Sequence, residues 1–401
     1  MAFDFDLLET LLLALFVLFL GGVLNRKVGF LRHYNIPVPV VGGLVFAVAV
    51  SLLFTQADLR LGFDMGLKAP LMLAFFTSVG LGADFRLLAK GGPRLLLFLV
   101  VVTLFLFVQN GVGTLVAMGL DLHPLVGLLS GSITLSGGHG TGVAYAERFA
   151  DVQNLRGAME LAMACATFGL VIGGLLGGPV AQRLITRHGL APGLALEAAD
   201  RDMTVTAADT GRITPETFLR TLAVLLLCLV GGAGLYAVFQ DTVTLPVFIW
   251  SLFLGIVIRN ACGLAGITIV DQATLDLLGR VSLALFLAMA LMSLRLWELL
   301  DLAGPIFVII AVQTVALAAF AYFVTFRIMG RSYDAAIMSG GHCGFGMGAT
   351  PTAVANMEAL VARYGPSPAA FLVIPMVGAF FIDITNALVI QVFLALPFVG
   401  F

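Results

Sequence analysis

The chain has 401 residues, of which 60% are hydrophobic and 11% are charged, and its net charge is −2. Soluble domains carry about 25% charged residues, so the composition excludes an ordinary soluble protein and predicts a polytopic membrane protein. The near-neutral charge without a basic patch argues against nucleic acid as a partner.

The four cysteines are scattered in or beside apolar segments, without a CxxC motif or a spacing typical of metal ligands. We therefore expect neither a disulfide framework nor a zinc site. The N-terminus, "MAFDFDLLET", has acidic residues where a cleavable signal peptide needs positive charge. The first apolar segment is therefore predicted to be a retained helix.

Ten apolar segments are predicted to cross a bilayer as helices. Their approximate bounds are 7–24, 36–54, 69–83, 95–118, 157–180, 218–238, 246–260, 281–294, 305–327 and 368–396. Ten crossings place both termini on one side of the membrane. Most of the 21 Lys and Arg residues fall on the opposite side, which the positive-inside rule predicts to be cytoplasmic.

The only long polar stretch divides the chain near its middle. It spans 181–217, carries mixed charges, and is predicted to be a cytoplasmic linker because it is too short to bury a core of its own. The predicted organisation is a first membrane repeat at 1–180, this linker, and a second, inverted membrane repeat at 218–401.

The two halves resemble each other in sequence. Residues 71–93 match 283–305 without a gap, and "SGSITLSGGHGTG" at 130–142 matches the segment that begins at Ser339. Two registers of the second match remain open, since one aligns Ser130 with Ser339 and the other aligns the shared "SGGH". Each half has five spans, and an odd number of crossings makes the second half run through the membrane in the opposite direction to the first. Inverted repeats of this kind are typical of secondary transporters.

Each half also has one glycine-rich segment, at 125–145 and 335–353. Irregular backbone at membrane depth persists only where protein buries it or where it lines a water-filled cavity. We therefore predict two re-entrant hairpins that enter from opposite faces and meet at their tips. Their free N–H groups suit carboxylates, and their freed carbonyls suit a hard cation. The alternative is close helix packing through glycine.

The candidate substrate-binding residues lie in these two segments. They are Ser136, Gly138, His139, Thr141, Ser339, Gly341, His342 and Thr350. Hydroxyl groups and a neutral imidazole can contact a carboxylate. As alternatives, the two threonines cap the helices that follow them, and the two histidines tie the hairpins to backbone carbonyls.

Candidate ion ligands combine loop carbonyls with a carboxylate inside a span. Asp383 is costly at membrane depth and needs a partner, and Asn386 lies one turn later on the same helix face. A structural contact of Asp383 to a hydroxyl or an arginine is the alternative. The loop carbonyls proposed to join them are those of Gly137, Gly140, Gly346 and Gly348.

Four further polar residues are predicted to support the site, namely Gln109, Asn110, Gln313 and Glu160. The three amides either support the hairpins and line the pathway or form helix–helix hydrogen bonds. Glu160 lies near the outer end of its span, where the alternative is that it faces water.

Several strings make the chain resemble the glutamate:sodium symporter family. They are "PLMLAFF" (70–76), "GSITLSGGHGTG" (131–142), "AMACATFGL" (162–170), "VSLALFLAMAL" (281–291), "YDAAIMSGGHCGFGMGATPTAVANM" (333–357) and "FLVIPMVGAFFIDITNALVI" (371–390). The resemblance covers nearly the whole chain except the central linker. The first helix and that linker depart most from the family pattern.

The resemblance implies sodium-coupled symport of L-glutamate across the bacterial inner membrane by alternating access. It also implies a homodimer, sodium as the coupling ion and no cofactor or other metal. Both termini would then be periplasmic. The alternatives are a proton-coupled carrier of another acidic amino acid or dicarboxylate, and an ion channel. A membrane enzyme is disfavoured, because the sequence has no nucleophile elbow and no HExxH motif.

Overall fold

The computed structural model describes residues 2–33, 36–57, 60–86, 92–153, 155, 157–191, 213–239, 246–294, 303–397 and 399. Nearly all of the secondary structure in these ranges is helical. The apolar segments of the sequence form helices because lipid offers no hydrogen-bond partner to the backbone, and a helix satisfies its own N–H and C=O groups.

The described residues of the first half of the chain form eight α-helices and two short strands. They are β1 (Ala2–Phe5), α1 (Leu7–Lys27), α2 (Gly29–His33), α3 (Val38–Ala57), β2 (Arg60–Phe63), α4 (Lys68–Gly82), α5 (Gly92–Gly119), α6 (Pro124–Leu128), α7 (Gly138–Gln153) and α8 (Ala158–His188). A π-helical turn, Leu129–Ile133, follows α6 directly.

In the second half, the residues that the structure describes form nine α-helices. They are α9 (Pro215–Phe239), α10 (Val247–Leu264), α11 (Gln272–Met292), α12 (Ala303–Phe320), α13 (Phe326–Ile328), α14 (Tyr333–Gly346), α15 (Thr350–Tyr364), α16 (Pro368–Met376) and α17 (Ile382–Leu394). Two π-helical turns, Ala321–Thr325 and Val377–Phe381, join α12 to α13 and α16 to α17.

Local sequence signals explain where several helices begin. Asp6 caps α1 in a capping box, since Glu9 N donates to Asp6 Oδ1 (2.8 Å) and Asp6 N donates to Glu9 Oε2 (3.0 Å). Ser332 caps α14 by accepting from Ala335 N (3.2 Å). His123 caps α6, which starts with Pro124.

Within the described ranges, seven helices are long and apolar enough to cross a membrane. They are Leu7–Lys27, Gly92–Gly119, Ala158–His188, Pro215–Phe239, Val247–Leu264, Gln272–Met292 and Gly304–Ile328. Shorter apolar helices are found at Val38–Phe54, Lys68–Gly82, Pro124–Ile133 and Ile382–Leu394. This set fits a polytopic membrane protein, and the count of ten crossings stays a prediction.

The chain belongs to the all-α class, and its described residues also form one pair of short strands. β1 pairs in parallel with β2, with Ala2 opposite Arg60 and Phe5 opposite Phe63. The rings of Phe5 and Phe63 stack with centroids 5.7 Å apart. Four residues per strand are too few to give a periodic signal in the sequence.

Two predicted boundaries are also corrected. Helix α8 continues to His188, so the first residues of the predicted linker are helical. Most of the remaining linker, residues 192–212, lies outside the described residues. The predicted span 368–396 is divided by the π-helical turn after Pro375, because proline removes one backbone donor and disturbs the ladder of hydrogen bonds.

The chain groups into two compact units. The larger comprises Met1–Lys68, Gly91–Leu190 and Ala284–Phe401, and the smaller comprises Ala69–Lys90 and Ala191–Leu283. Both units draw on both halves of the sequence. The division into two repeats and a linker concerns sequence symmetry and stays a prediction. All candidate site residues belong to the larger unit.

Candidate functional site

The first glycine-rich segment is a pair of short helices with a break between them. The π-helical turn contains Gly131 in a non-helical conformation (φ −104°, ψ −134°). The chain turns at Ser136 and Gly137, and Gly138 has φ +70°, a value that glycine adopts without strain. Gly137 N donates to Ser132 O (2.9 Å) across the turn. Gly140 and Thr141 lie beyond the turn, inside α7.

The second glycine-rich segment is more helical than its composition suggested. Helix α14 continues through Ser339, Gly341 and His342 to Gly346, and the chain breaks only between Gly346 and Thr350. The expectation of a long irregular stretch is therefore wrong for most of this segment. The irregular backbone is confined to three residues, among them Gly348.

The two breaks contact each other through Gln109 of α5. Gln109 Nε2 donates to Gly346 O (2.8 Å), and Ser136 Oγ donates to Gln109 Oε1 (2.6 Å). Ser136 Oγ also lies 3.2 Å from Gly346 O. Gln313 Nε2 of α12 donates to Gln109 O (2.7 Å). Both glutamines are fully buried, so these bonds join two helices and both breaks in a water-free environment.

A second polar group surrounds the π-helical turn of the first segment. Ser132 N donates to Asn110 Oδ1 (2.9 Å), and Asn386 Nδ2 donates to Ser132 O (3.0 Å). Among the described residues, three buried side-chain atoms of this group lack a hydrogen-bond partner: Asn110 Nδ2, Ser132 Oγ and Asn386 Oδ1. Buried polar atoms are normally satisfied, so one free donor and two free oxygens at neighbouring residues indicate a place for a polar ligand.

The π-helical turn after Pro375 positions the ion-binding candidates. It ends at Phe381, so Asp383 lies in the first turn of α17 and Asn386 lies one turn later. Asn386 is buried and reaches Ser132, whereas Asp383 is partly exposed. π-Helical turns of this kind occur frequently at functional sites, because the wide turn changes the direction of the side chains that follow it.

The two histidines form hydrogen bonds to threonine hydroxyls rather than to backbone carbonyls. Thr167 Oγ1 donates to Met163 O (2.8 Å), so it accepts from His139 Nε2 (3.1 Å). A hydrogen bond of 2.9 Å joins His342 Nδ1 and Thr325 Oγ1.

His342 also lies among aromatic rings. Its ring is within 6 Å, centroid to centroid, of Phe98, Phe105, Phe320 and Phe345. His342 is fully buried, so its ring belongs to the core of the larger unit. A contact of this imidazole with substrate stays a prediction.

The hydroxyl candidates have different local roles. Ser339 Oγ donates to Ala335 O of its own helix (2.8 Å). Thr141 lies four residues into α7, and α15 is capped by Ala349 without a side-chain bond, so neither Thr141 nor Thr350 is a helix cap. Thr350 Oγ1 faces Gly378, where an added Cβ would lie 2.8 Å away. Ligand binding by these three hydroxyls stays a prediction.

Several glycines serve close helix packing. Gly169, Gly173 and Gly177 recur every fourth residue on α8, and a methyl group at any of them would meet backbone carbonyls near the C-terminal half of α14. A methyl group at Gly177 would overlap the Asn356 amide, which donates to Gly173 O (2.9 Å). The packing alternative therefore holds for this face, as small residues permit close approach of helices in membranes.

Glu160 does not face water. It is 6% exposed in the first turn of α8, so the alternative that its carboxylate faces water is wrong, and its role in supporting the site stays a prediction. The sequence reasoning also missed Ser132, Thr167 and Thr325 as partners of the predicted residues. Ser132 and Thr167 both lie in strings that carry the family resemblance, which is the signal that points to them, whereas Thr325 lies in an apolar segment outside those strings.

A separate charged cluster lies in the smaller unit, beyond the end of α4. Arg86 Nη2 donates to Asp84 Oδ2 (2.7 Å), and Arg259 Nη2 lies 3.4 Å from the same oxygen. The Arg86 hydrogen bond holds the pKa of Asp84 at about 2, against an ordinary value of 3.8. Asn260 Nδ2 donates to Ala83 O (2.8 Å). These bonds connect the end of α4 to α10.

The polar groups of the larger unit are suited to binding a solute. No group of three or more His, Cys, Asp or Glu that could hold a metal is found in the described part of the chain. Asn386 Oδ1 and Ser132 Oγ are hard oxygen ligands, and the breaks leave N–H groups free at the starts of α7 and α15. Broken helices that offer both kinds of group are used by secondary transporters.

Comparison with known proteins agrees with this interpretation. The sequence model of the family described as "Sodium/glutamate symporter" matches residues 3–366. The chain is 49% identical over 397 residues to the sodium/glutamate symporters of Escherichia coli K12 and of Shigella flexneri, with 98% of this chain and 99% of each relative covered. It is 46% identical over 395 residues to that of Haemophilus influenzae Rd, with 98% of both chains covered. The chain belongs to the sodium/glutamate symporter family.

Proposed function

We propose that this chain carries L-glutamate together with sodium across the bacterial inner membrane by alternating access. One observation supports the proposal most strongly: the breaks of the two glycine-rich segments meet at Gln109, and beside them Asn110, Ser132 and Asn386 retain free buried polar atoms. The chain matches over nearly its full length with relatives named sodium/glutamate symporters.

Sodium is proposed to bind at the π-helical turn of the first segment. Ser132 Oγ and Asn386 Oδ1 supply two neutral oxygens, and loop carbonyls complete the shell, as unwound backbone does in other transporters. The carboxylate of Asp383, one turn before Asn386, neutralises the charge. The cost of a carboxylate at membrane depth favours a cation beside it.

Glutamate is proposed to bind at the free N–H groups of the two breaks. The N-termini of α7 and α15 carry partial positive charge and stabilise its carboxylates, with the hydroxyls of Thr141 and Thr350 nearby. Asp383 or the loop carbonyls bind its ammonium group. Pro351 in the first turn of α15 has no N–H, so the N–H groups of Thr350 and Thr352 are the donors there.

The proposed topology follows from the sequence symmetry. Ten crossings form two inverted repeats of five crossings each. The two glycine-rich segments enter the membrane as re-entrant hairpins from opposite faces. Both termini are periplasmic, and the central linker is cytoplasmic. The functional unit is a homodimer. The concentration of Lys and Arg on one side supports the orientation.

Uptake into proteoliposomes tests the proposal. Labelled glutamate should accumulate when an inward sodium gradient is present and should not when choline replaces sodium. Thr350→Ala and Asp383→Asn should weaken the sodium dependence or the affinity for glutamate. Uptake driven equally by a proton gradient without sodium would favour the proton-coupled carrier, and unitary currents would favour a channel.

A further inference from the structure

A cavity lined by arginines lies away from the site described above, in the same unit. Its volume is about 180 Å³, and it lies where the ends of α8 and α13 come together. A single water needs only about 10–15 Å³, so a phosphate group fits within this space. Arg187, Arg327 and Arg331 line the cavity.

The charged side chains that line the cavity are all positive. Among the residues that the structure describes, its remaining lining is His188 and three further aromatic side chains, without a carboxylate. Among the described residues, none of the three arginines forms an ion pair. Three guanidinium groups around one cavity repel each other unless an anion lies between them, and guanidinium groups are suited to phosphate oxygens.

Favourable interactions with helix C-termini explain the positions of only two of the three arginines. Arg187 and Arg327 lie in the last turns of α8 and α13, where a cation is favourable beside free carbonyls. Arg331 lies after the helix, with φ +52°, a left-handed backbone that is uncommon for a residue with a side chain. That conformation brings a third guanidinium group to the cavity.

The aromatic side chains make the cavity amphipathic. Arg187 Nη1 donates to Tyr322 Oη (3.3 Å), and the guanidinium carbon of Arg327 lies 5.8 Å from the centroid of Phe323. Phe323 is 52% exposed. An exposed aromatic ring beside two arginines is typical of the level at which a bilayer's headgroups meet its hydrocarbon.

An exposed apolar stripe leads away from the cavity along α12. Val308, Val312, Val315 and Phe323 are 45%, 37%, 68% and 52% exposed. Phe323 lies 11 positions after Val312, which corresponds to a rise of about 16 Å along a helix, close to the thickness of one leaflet of about 15 Å. A lipid whose phosphate occupies the cavity would therefore lay an acyl chain on this stripe.

We propose that this cavity binds the phosphate of an anionic phospholipid, whose acyl chain packs along α12. By the proposed orientation the cavity belongs to the cytoplasmic leaflet, where basic pockets between helices commonly bind anionic headgroups. The stripe that continues from the cavity favours a lipid over a free anion. The carboxylates of the central linker, such as Glu197 and Asp209, are a competing occupant that the test must separate.

Native mass spectrometry of the full-length protein in mild detergent tests the proposal. The protein is titrated separately with phosphatidylglycerol, phosphatidylcholine and inorganic phosphate. We expect phosphatidylglycerol to bind at least tenfold more tightly than phosphatidylcholine, and inorganic phosphate to compete only weakly. Equal binding of the two lipids overturns the proposal, and so does inorganic phosphate that displaces phosphatidylglycerol at equimolar concentration.

Variants assign the binding to the cavity. Each arginine near a membrane surface contributes about fivefold to binding, so R331Q should weaken phosphatidylglycerol binding about fivefold and R187Q/R327Q/R331Q about a hundredfold. R183Q/R363Q is the matched control. Arg183 lies one turn before Arg187 on the same helix. The guanidinium carbon of Arg363 lies 5.2 Å from the centroid of the Tyr364 ring, which resembles the contact of Arg327 with Phe323. Neither Arg183 nor Arg363 lines the cavity.

The single variant R331Q keeps the test valid if the triple variant does not fold, because Arg331 is exposed and follows the helix end. Equal loss in the control and in the triple variant contradicts the proposal. The linker is tested by neutralising the four carboxylates between residues 192 and 212, at Glu197, Asp200, Asp202 and Asp209. If only that variant prefers phosphatidylglycerol, the linker occupies the cavity and the proposal is wrong.

Discussion

Replacement of Gln109 by leucine removes the side chain that joins the two breaks. Two hydrogen bonds are lost, to Gly346 O (2.8 Å) and from Ser136 Oγ (2.6 Å), at a fully buried position. A hydrogen bond contributes about 1 kcal/mol in soluble proteins and on average about 0.6 kcal/mol within a membrane protein. Because Ser136 can still donate to Gly346 O, we expect the free energy of unfolding to fall by about 1–2 kcal/mol.

Thermal unfolding in detergent, followed by size-exclusion chromatography of the surviving fraction, measures this effect. Thr103→Val is the matched control on the same helix, since Thr103 Oγ1 donates only to Leu99 O one turn earlier (2.7 Å). We expect Gln109→Leu to lower the midpoint by a few degrees and Thr103→Val to change it little.

A double-mutant cycle with Ser136→Ala isolates the contact between the breaks. Residues that share a hydrogen bond should give a coupling energy of about 0.5 kcal/mol or more. The reasoning is refuted if the two substitutions add without coupling, or if Gln109→Leu is no more harmful than Thr103→Val.

Three further substitutions test other parts of the structure. Gly177→Ala should lower the free energy of unfolding by about 1–3 kcal/mol in thermal unfolding, because its methyl group overlaps a neighbouring amide. Gly178→Ala, which has open space around it, should be neutral or stabilising. Similar losses of stability in the two variants would contradict the close packing. Ser132→Ala should raise the sodium concentration for half-maximal uptake roughly tenfold. Ser130→Ala should not, because the hydroxyl of Ser130 donates to Val126 O one turn earlier. If the two variants show the same dependence of uptake on sodium, Ser132 is not a sodium ligand. Asp84→Asn should lower the unfolding midpoint at pH 7. Because the folded-state pKa of Asp84 is depressed to about 2, its stabilisation is present above pH 4 and is lost as the pH falls through 2. A difference between variant and wild type that is as large at pH 2 as at pH 7 would contradict the ion pair.

The sequence predicted those features that depend on composition over many residues. Apolar runs near the length of a bilayer predict helices, and the described part of the chain contains seven long ones. The two glycine clusters marked the places where helices break, and Gln109 and Gln313 were recognised as polar groups within apolar spans. Each of these signals is local, or repeats with a fixed period.

The features that the sequence did not predict depend on contacts between distant residues. Glycine in a string does not distinguish a break from close packing, and only the partners of Gly173 and Gly177 on α14 decide between them. His342 was placed in an irregular loop, but its segment continues as a helix whose core position is set by four phenylalanines from three helices. The π-helical turn that directs Asn386 toward Ser132 follows Pro375, whose effect depends on neighbouring helices.

Binding of labelled glutamate to the purified protein, measured against sodium concentration, tests the central claim most directly. The wild type should bind glutamate only when sodium is present. Asn386→Leu removes a free oxygen and the bond to Ser132 O, and it should abolish this sodium-dependent binding while the protein still elutes as a folded species. Unchanged glutamate affinity and unchanged sodium dependence in Asn386→Leu would contradict the proposed site.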